Sequence, residues 1–325
     1  MINTILKHKS LIIRYTGMFT SFYILFSFVD ISQFKSVATK LSWQIILATI
    51  TLASLRIWLL MERWRVLIPS QERLSRWLYI QIMFASGSIN LFLPGILGAD
   101  VMRSVMIANH HQDVSSNSFI SVYFDRLIGL ASILMMGLAT SIITTEFLYR
   151  STIIIFTLLA LVFLWFIVWI SQHRKVYILI YKWLKQKNLI KSYIPQKLLG
   201  IIKKLQSYNP SAKQILTALA LCFPIHLLWF VMVWLVSQHI GEDISLVVIS
   251  LVTIIIWVVS LLPLSISGIG IRELGFGYLL SQYGVSHTHS VFLGMFQSAI
   301  LVFFALLGLP LLWHYFWQKN DKAKI

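Results

Sequence analysis

Three pairs of ionisable residues interrupt a chain that is otherwise mostly Leu, Ile, Val and Phe: Asp100 with Arg103, Asp125 with Arg126, and Arg272 with Glu273. Each stands in or beside an apolar segment. A charge at membrane depth costs at least ~2.5 kcal/mol even on the lenient insertion scale, so such residues are functional candidates by default. The chemistry they offer is anion capture. Arginine presents a planar fork that matches phosphate oxygens, and a neighbouring carboxylate either holds that fork in position or binds a cationic group. Group transfer has no comparable support: no nucleophile–base pair or nucleotide-phosphate loop is visible. The glycines of SGIGIRELG do not follow a strand in a βαβ unit and so form no dinucleotide signature. No metal and no cofactor are expected.

Two of the pairs follow breaks. In NLFLPGILGADVMRS (90–104), Pro94, Gly95 and Gly98 precede Asp100 and Arg103; in LLPLSISGIGIRELGF (261–276), Pro263, Gly268 and Gly270 precede Arg272 and Glu273. Proline ends the preceding helix, the glycines, Gly275 included, permit turns and close approach, and the helix that restarts offers unpaired N–H groups at its positive end. Such a place suits an anion. The alternative for Arg272 and Glu273 is that they pair with another helix and hold the packing. Asp125 and Arg126, one turn from Ser121, either face a bundle interior or snorkel at a cytoplasmic helix end. Arg56 is a weaker case, alone in its apolar helix. His110/His111 and His287/His289 have no companion carboxylates at ligand spacing and read as interfacial or loop histidines. Pro224 predicts a kink in its helix, and His226 beside it is a candidate for proton coupling.

These residues need a membrane to be placed in. The 325 residues are 58% hydrophobic and 12% charged, with a mean hydropathy of +0.80, far outside the range of a soluble domain. The fold class is an all-α integral membrane protein, with a single polytopic domain over 1–325. Apolar spans at about 11–29, 41–61, 119–145, 152–170, 214–238 and 288–317 predict six transmembrane helices. Segments 78–93 and 244–262, each followed by a break and a shorter amphipathic piece, predict two broken or re-entrant hairpins. The first span carries Arg14 and no small-residue cleavage site, so it reads as retained. The lone Cys222 excludes an intramolecular disulfide and reads as a small core residue.

Ten Lys or Arg and no acid fall between Ser171 and Lys213, interleaved with aromatic and aliphatic residues. This is the pattern of a basic cytoplasmic loop, 171–213, resting on an anionic membrane surface. The same rule places Arg63, Arg65, Arg73 and Arg76 and both termini inside. The net charge of +16 is thereby a matter of topology, and nucleic acid is not an expected partner. Pro94 to Arg103 and Pro263 to Arg272 have the same spacing, at an offset of 169 positions. That offset also relates the helices near 119 and 288, so 41–145 and 210–317 read as two repeats. With cytoplasmic termini they run in opposite directions, the inverted-repeat plan of secondary transporters whose broken helices meet near the midplane. Spacings such as Gly137 and Ser141 do not define an oligomer.

The ordered motifs PGILGADVMRSVMI, YFDRLIGL and LPLSISGIGIRELGF with a downstream YGV, together with RWRVLI at 63–68, resemble the transmembrane family named for lysylphosphatidylglycerol synthase, also called the flippase-like domain family, over about 10–317. The family includes the membrane half of the multiple peptide resistance factor, which moves aminoacylated phosphatidylglycerol between leaflets, and proteins linked to lipid-attached glycans. The resemblance implies substrate-binding roles for Asp100, Arg103, Asp125, Arg126, Arg272 and Glu273. Eight residues follow Trp317, without the soluble aminoacyl-transferase half of the bifunctional members, so synthesis of lysylphosphatidylglycerol is not expected. The expected function is a non-enzymatic lipid translocase in the bacterial cytoplasmic membrane. Its partners would be anionic phospholipid head groups, held in a polar cavity at the repeat interface. The alternatives are a non-transporting accessory protein and an intramembrane transferase in lipid or lipid-linked glycan synthesis.

Overall fold

A computed structural model describes residues 31–92, 97–110, 116–144, 150–172, 208, 210–261 and 268–322. Among them are ten α-helices and no strand. In chain order these are α1 (Ile31–Lys40), α2 (Trp43–Leu67), α3 (Arg76–Ser88), α4 (Leu97–His110), α5 (Ser116–Ile143), α6 (Arg150–Gln172), α7 (Ala212–His239), α8 (Leu246–Val259), α9 (Ile271–Ser281) and α10 (His287–Lys322). Stretches Trp43–Leu67, Ile120–Ile143, Ala212–His239 and His287–Trp317 are long and apolar enough to cross a membrane, and Arg150–Phe166 and Leu246–Val259 are shorter apolar helices. The chain is an all-α, multi-pass membrane protein. The expected span at 11–29, most of the basic loop, and the breaking residues Pro94, Gly95 and Pro263 lie outside the described residues.

The element order recurs. A long helix, a short helix, a break, a second short helix and another long helix begin at 43, 76, 97 and 116, and again at 212, 246, 271 and 287. The offsets run from 169 (212 against 43) to 174 (271 against 97). The recurrence extends to a capping detail. Ser75 accepts from Leu78 N at the start of α3, and Ser245 accepts from Val248 N at the start of α8, both at 3.3 Å and both with an extended backbone at ψ 147°. Pro224 lies inside α7, which continues through it.

The chain divides into two compact units: residues 1–61, 74–103 and 223–325, and residues 62–73 and 104–222. In the first unit α10 packs against α3 and α9, and α8 packs against α9. These contacts are close because of glycine. A Cβ on Gly308 would come 2.1 Å from the carbonyl oxygen of Phe84, and Ser88 Oγ donates to Ala305 O at 2.6 Å across the same crossing. A Cβ on Gly294 would meet Glu273 Cα at 2.8 Å, and one on Gly275 would meet Ile256 at 3.0 Å. Apolar on all sides, α8 buries Ile249, Leu251, Val252 and Ile254.

The second unit is built around Leu67, Ile120, Phe124, Ile128, Ala218 and Cys222, with Tyr208 packed against them. Cys222 is the buried core residue expected. On α6, Ile155, Phe156, Leu159, Val162 and Phe163 are exposed, as a helix facing acyl chains requires. Trp43, Trp77, Trp313 and Trp317 are exposed near helix ends, the positions of an interfacial aromatic belt.

Candidate functional site

The second break can be built up from its backbone. Gly268 and Gly270 have φ of +78° and +90°, a region that L side chains rarely adopt, and the chain turns there into α9. Gly270 is the N-cap and has no side chain to close the new helix. The carboxylate three residues on does so instead: Gly270 N–H donates to Glu273 Oε2 at 2.5 Å, the returning half of a capping box. The second oxygen, Oε1, accepts from the Ser298 hydroxyl of α10, and that hydroxyl accepts in turn from Arg272 Nη1 at 2.6 Å. Arg272 and Glu273 are therefore linked through Ser298. Both are buried, at 4% and 2% exposure. The Arg272 guanidinium lies under the Gly268 turn, where an added Cβ would come 3.2 Å from both Arg272 Nη2 and Ser260 Oγ. This geometry is the packing arrangement, the alternative left open for this pair.

At the first break, Asp100 stands in the opening turn of α4, where the helix dipole favours an anion, and accepts from Arg103 Nη2. Arg103 Nη1 lies 3.5 Å from the sulfur of Met83 on α3. Gly98 sits in the same turn, half-buried.

Asp125 has a partner in Arg63, which the sequence places both with the interfacial basic residues and in the RWRVLI motif. Arg63 Nε donates to Oδ1 at 2.8 Å and Nη2 to Oδ2 at 3.1 Å, a forked ion pair with Arg63 at 6% and Asp125 at 1% exposure. Arg63 Nη1 reaches Cys222 Sγ at 3.4 Å, and the missing side chain of Gly129 leaves room for it. Asp125 is thus an interior residue, not a snorkelling one, and Arg126 beside it is half-buried. The available signal was RWRVLI at 63–68, which stands among the motifs with YFDRLIGL. Nearby, burial pushes the Tyr208 phenol up from its ordinary pKa, with the negative charges of Asp125 and Glu72 adding to the effect.

Arg56 has the most distinctive surroundings. It is half-buried, and its guanidinium carbon lies 4.8 Å from the ring centroid of Trp229 and 5.6 Å from that of Trp257. His226 stands 5.6 Å from Trp257, ring to ring, and Trp229 Nε1 donates to Gln297 at 2.9 Å. A lone arginine in an apolar helix was its only sequence signal. Of the histidines, His289 contacts Glu242 and His110 Nδ1 lies 2.9 Å from Met106 O; His111 falls outside the described residues. Among the described residues no three His, Cys, Asp or Glu converge as metal ligands would.

Buried and half-buried charges thus stand within the apolar helices of a polytopic membrane protein. The family described as the lysylphosphatidylglycerol synthase TM region matches residues 11–308, and the chain belongs to that family. No curated protein and no solved structure gives a significant match.

Proposed function

We propose that the protein is a lipid translocase that passes a phosphate-bearing head group between leaflets. On this reading it lies in the bacterial cytoplasmic membrane with both termini inside. Arg56 carries the reading. It is thirteen residues from the start of α2 and eleven from its end, so it sits about 20 Å along a helix roughly 37 Å long, near the depth where a charge is most costly. Two tryptophan faces support the cation there, and a guanidinium recognises phosphate through N–H groups in its own plane. Arg103, at the first break, supplies a second phosphate contact. Arg272 and Glu273 keep the second break in shape. The two repeats have opposite orientation and form the path between them.

Vesicles with labelled phosphatidylglycerol test this. The parent accelerates exchange of label between leaflets; Arg56→Gln slows it at least tenfold at unchanged melting temperature, and Arg56→Lys recovers part of the rate because it keeps the charge and loses the fork. Full activity in Arg56→Gln would remove Arg56 from the path. A second reading, an accessory protein that moves no lipid, draws on the internal pairing of Arg63 and Arg272; a folded parent without exchange activity would favour it. Orientation is checked by cysteine labelling in intact cells, with positions near 149 and 241 accessible from outside and positions near 190 not. Labelling near 190 from outside would reverse the topology.

A further inference from the structure

The second unit carries an open cleft of about 790 Å³ beside the end of α2. One wall is the Pro69–Arg73 connection, which includes a 3₁₀ turn at Ser70–Glu72, and the other is formed by Ser211 and the first turns of α7. The floor is apolar, from Leu67 and Tyr208. The walls bring Ser70, Gln71, Lys213 and Thr217 together with Arg73, and among the described residues no carboxylate lines the cleft, the nearest being Glu72 in the same connection, whose charge reaches Tyr208.

The charge of this cleft follows from what covers the end of α2. The last carbonyls of a helix are its negative pole and would repel an anion. Here they are occupied. Arg73 donates from Nε to Ile68 O at 3.0 Å and from Nη2 to Val66 O at 3.1 Å, Gln214 Nε2 donates to Val66 O at 2.9 Å, and the Tyr208 hydroxyl donates to Leu67 O. Arg73 is held in one pose by these bonds, with Nη1 left over, and neither Nη1 nor Lys213 Nζ has a hydrogen bond or ion pair among the described residues. Lys213 is exposed, so its ammonium is free to swing over the cleft. The result is one fixed cation and one mobile cation beside hydroxyl and amide donors, above an apolar floor. Since α2 and α7 are both long enough to cross the membrane, the residues just beyond Leu67 and just before Ala212 stand at a membrane surface.

We infer that this cleft binds a phosphate group, presented by the head of an anionic phospholipid in the leaflet at that surface. Arg73 and Lys213 take the phosphate oxygens, the Ser70 hydroxyl and the Gln71 amide complete their coordination, and the glycerol and upper acyl carbons rest on Leu67 and Tyr208. The inference needs α2 and α7 to cross the membrane and does not need lipid to be moved. A protein that binds here and fails to exchange label keeps this site and loses the translocase reading.

The test is a melting-shift titration of the full chain in a neutral detergent, with short-chain phosphatidylglycerol, short-chain phosphatidylcholine and inorganic phosphate as separate probes. Phosphatidylglycerol gives a saturable rise in melting temperature, phosphatidylcholine gives much less, and Lys213→Gln weakens the phosphatidylglycerol affinity about fivefold, while Lys213→Arg keeps it. Gln71→Glu, which places an acid in the wall without touching the caps of α2, weakens it by a similar factor. Inorganic phosphate as effective as the lipid would keep the phosphate site and assign it to a free anion. Equal response to both lipids, or an affinity unmoved by Lys213→Gln and Gln71→Glu alike, would overturn the inference.

Discussion

Arg272→Ala lowers the stability of the protein in detergent by roughly 3–5 kcal/mol, because it strands the Glu273 carboxylate inside the protein. The carboxylate keeps two hydrogen bonds, from Gly270 N–H and Ser298 O–H, and loses the cation that balances it. Glu273→Gln has a comparable effect for the opposite reason, since it takes the Glu273 charge away from a guanidinium that is 4% exposed. The double variant Arg272→Met/Glu273→Gln is more stable than the sum of the two single changes predicts, by about 2 kcal/mol, as groups in one hydrogen-bonded network require. Melting of the three variants beside the parent provides the measurement. A stable, folded Arg272→Ala protein would show that this guanidinium serves a bound head group and not the break itself.

Asp125→Asn produces the second large effect, again about 3–5 kcal/mol, and in the other unit. It removes the counter-charge of a guanidinium that is 6% exposed and held by both arms of its fork. Arg63→Lys falls between parent and Asp125→Asn, since an ammonium keeps the charge and cannot make two parallel bonds to one carboxylate. Arg63→Met with Asp125→Asn removes both charges from the interior and recovers most of the loss, as apolar replacement of buried pairs often does. Denaturation of the purified variants with a tryptophan fluorescence readout decides it. Equal stability of Asp125→Asn and the parent would mean that Arg63 finds a substitute acceptor.

The spans were legible because bilayer thickness fixes a helix length and excludes charge, so four of the expected segments coincide with span-length helices to within a few residues at most ends; α2 alone runs six residues further. A repeat was expected from one Pro-to-Arg spacing; the recurring order of helices and the serine caps at 75 and 245 lie at a similar offset, and the caps depend on backbone conformation that a sequence does not display. Partners were the illegible part. Adjacent residues on a helix do not face each other, so reading Asp125 beside Arg126 left Arg63 unseen, and reading Arg272 beside Glu273 left unseen the serine that joins them. Asp125 bonds to Arg63, 62 residues away, and Arg272 meets Glu273 through Ser298, which stands 26 residues on. Neither separation has a period that a sequence displays. Arg56 was visible as a lone charge, and its two tryptophans were not, because they come from α7 and α8.

The crossing of α3 and α10 at Gly308 has a mechanical consequence. With the Phe84 carbonyl occupying the space of a missing side chain and Ser88 bonded to Ala305, the two helices mesh as gear teeth do. A slide of one helical turn, about 5.4 Å, would bring Phe304 or Leu312 of the same face against the notch that Gly308 leaves. Sliding at this crossing is blocked. The helix that leads into the first break and α10 are therefore locked in register where they cross, so that a shift of one at this point carries the other with it.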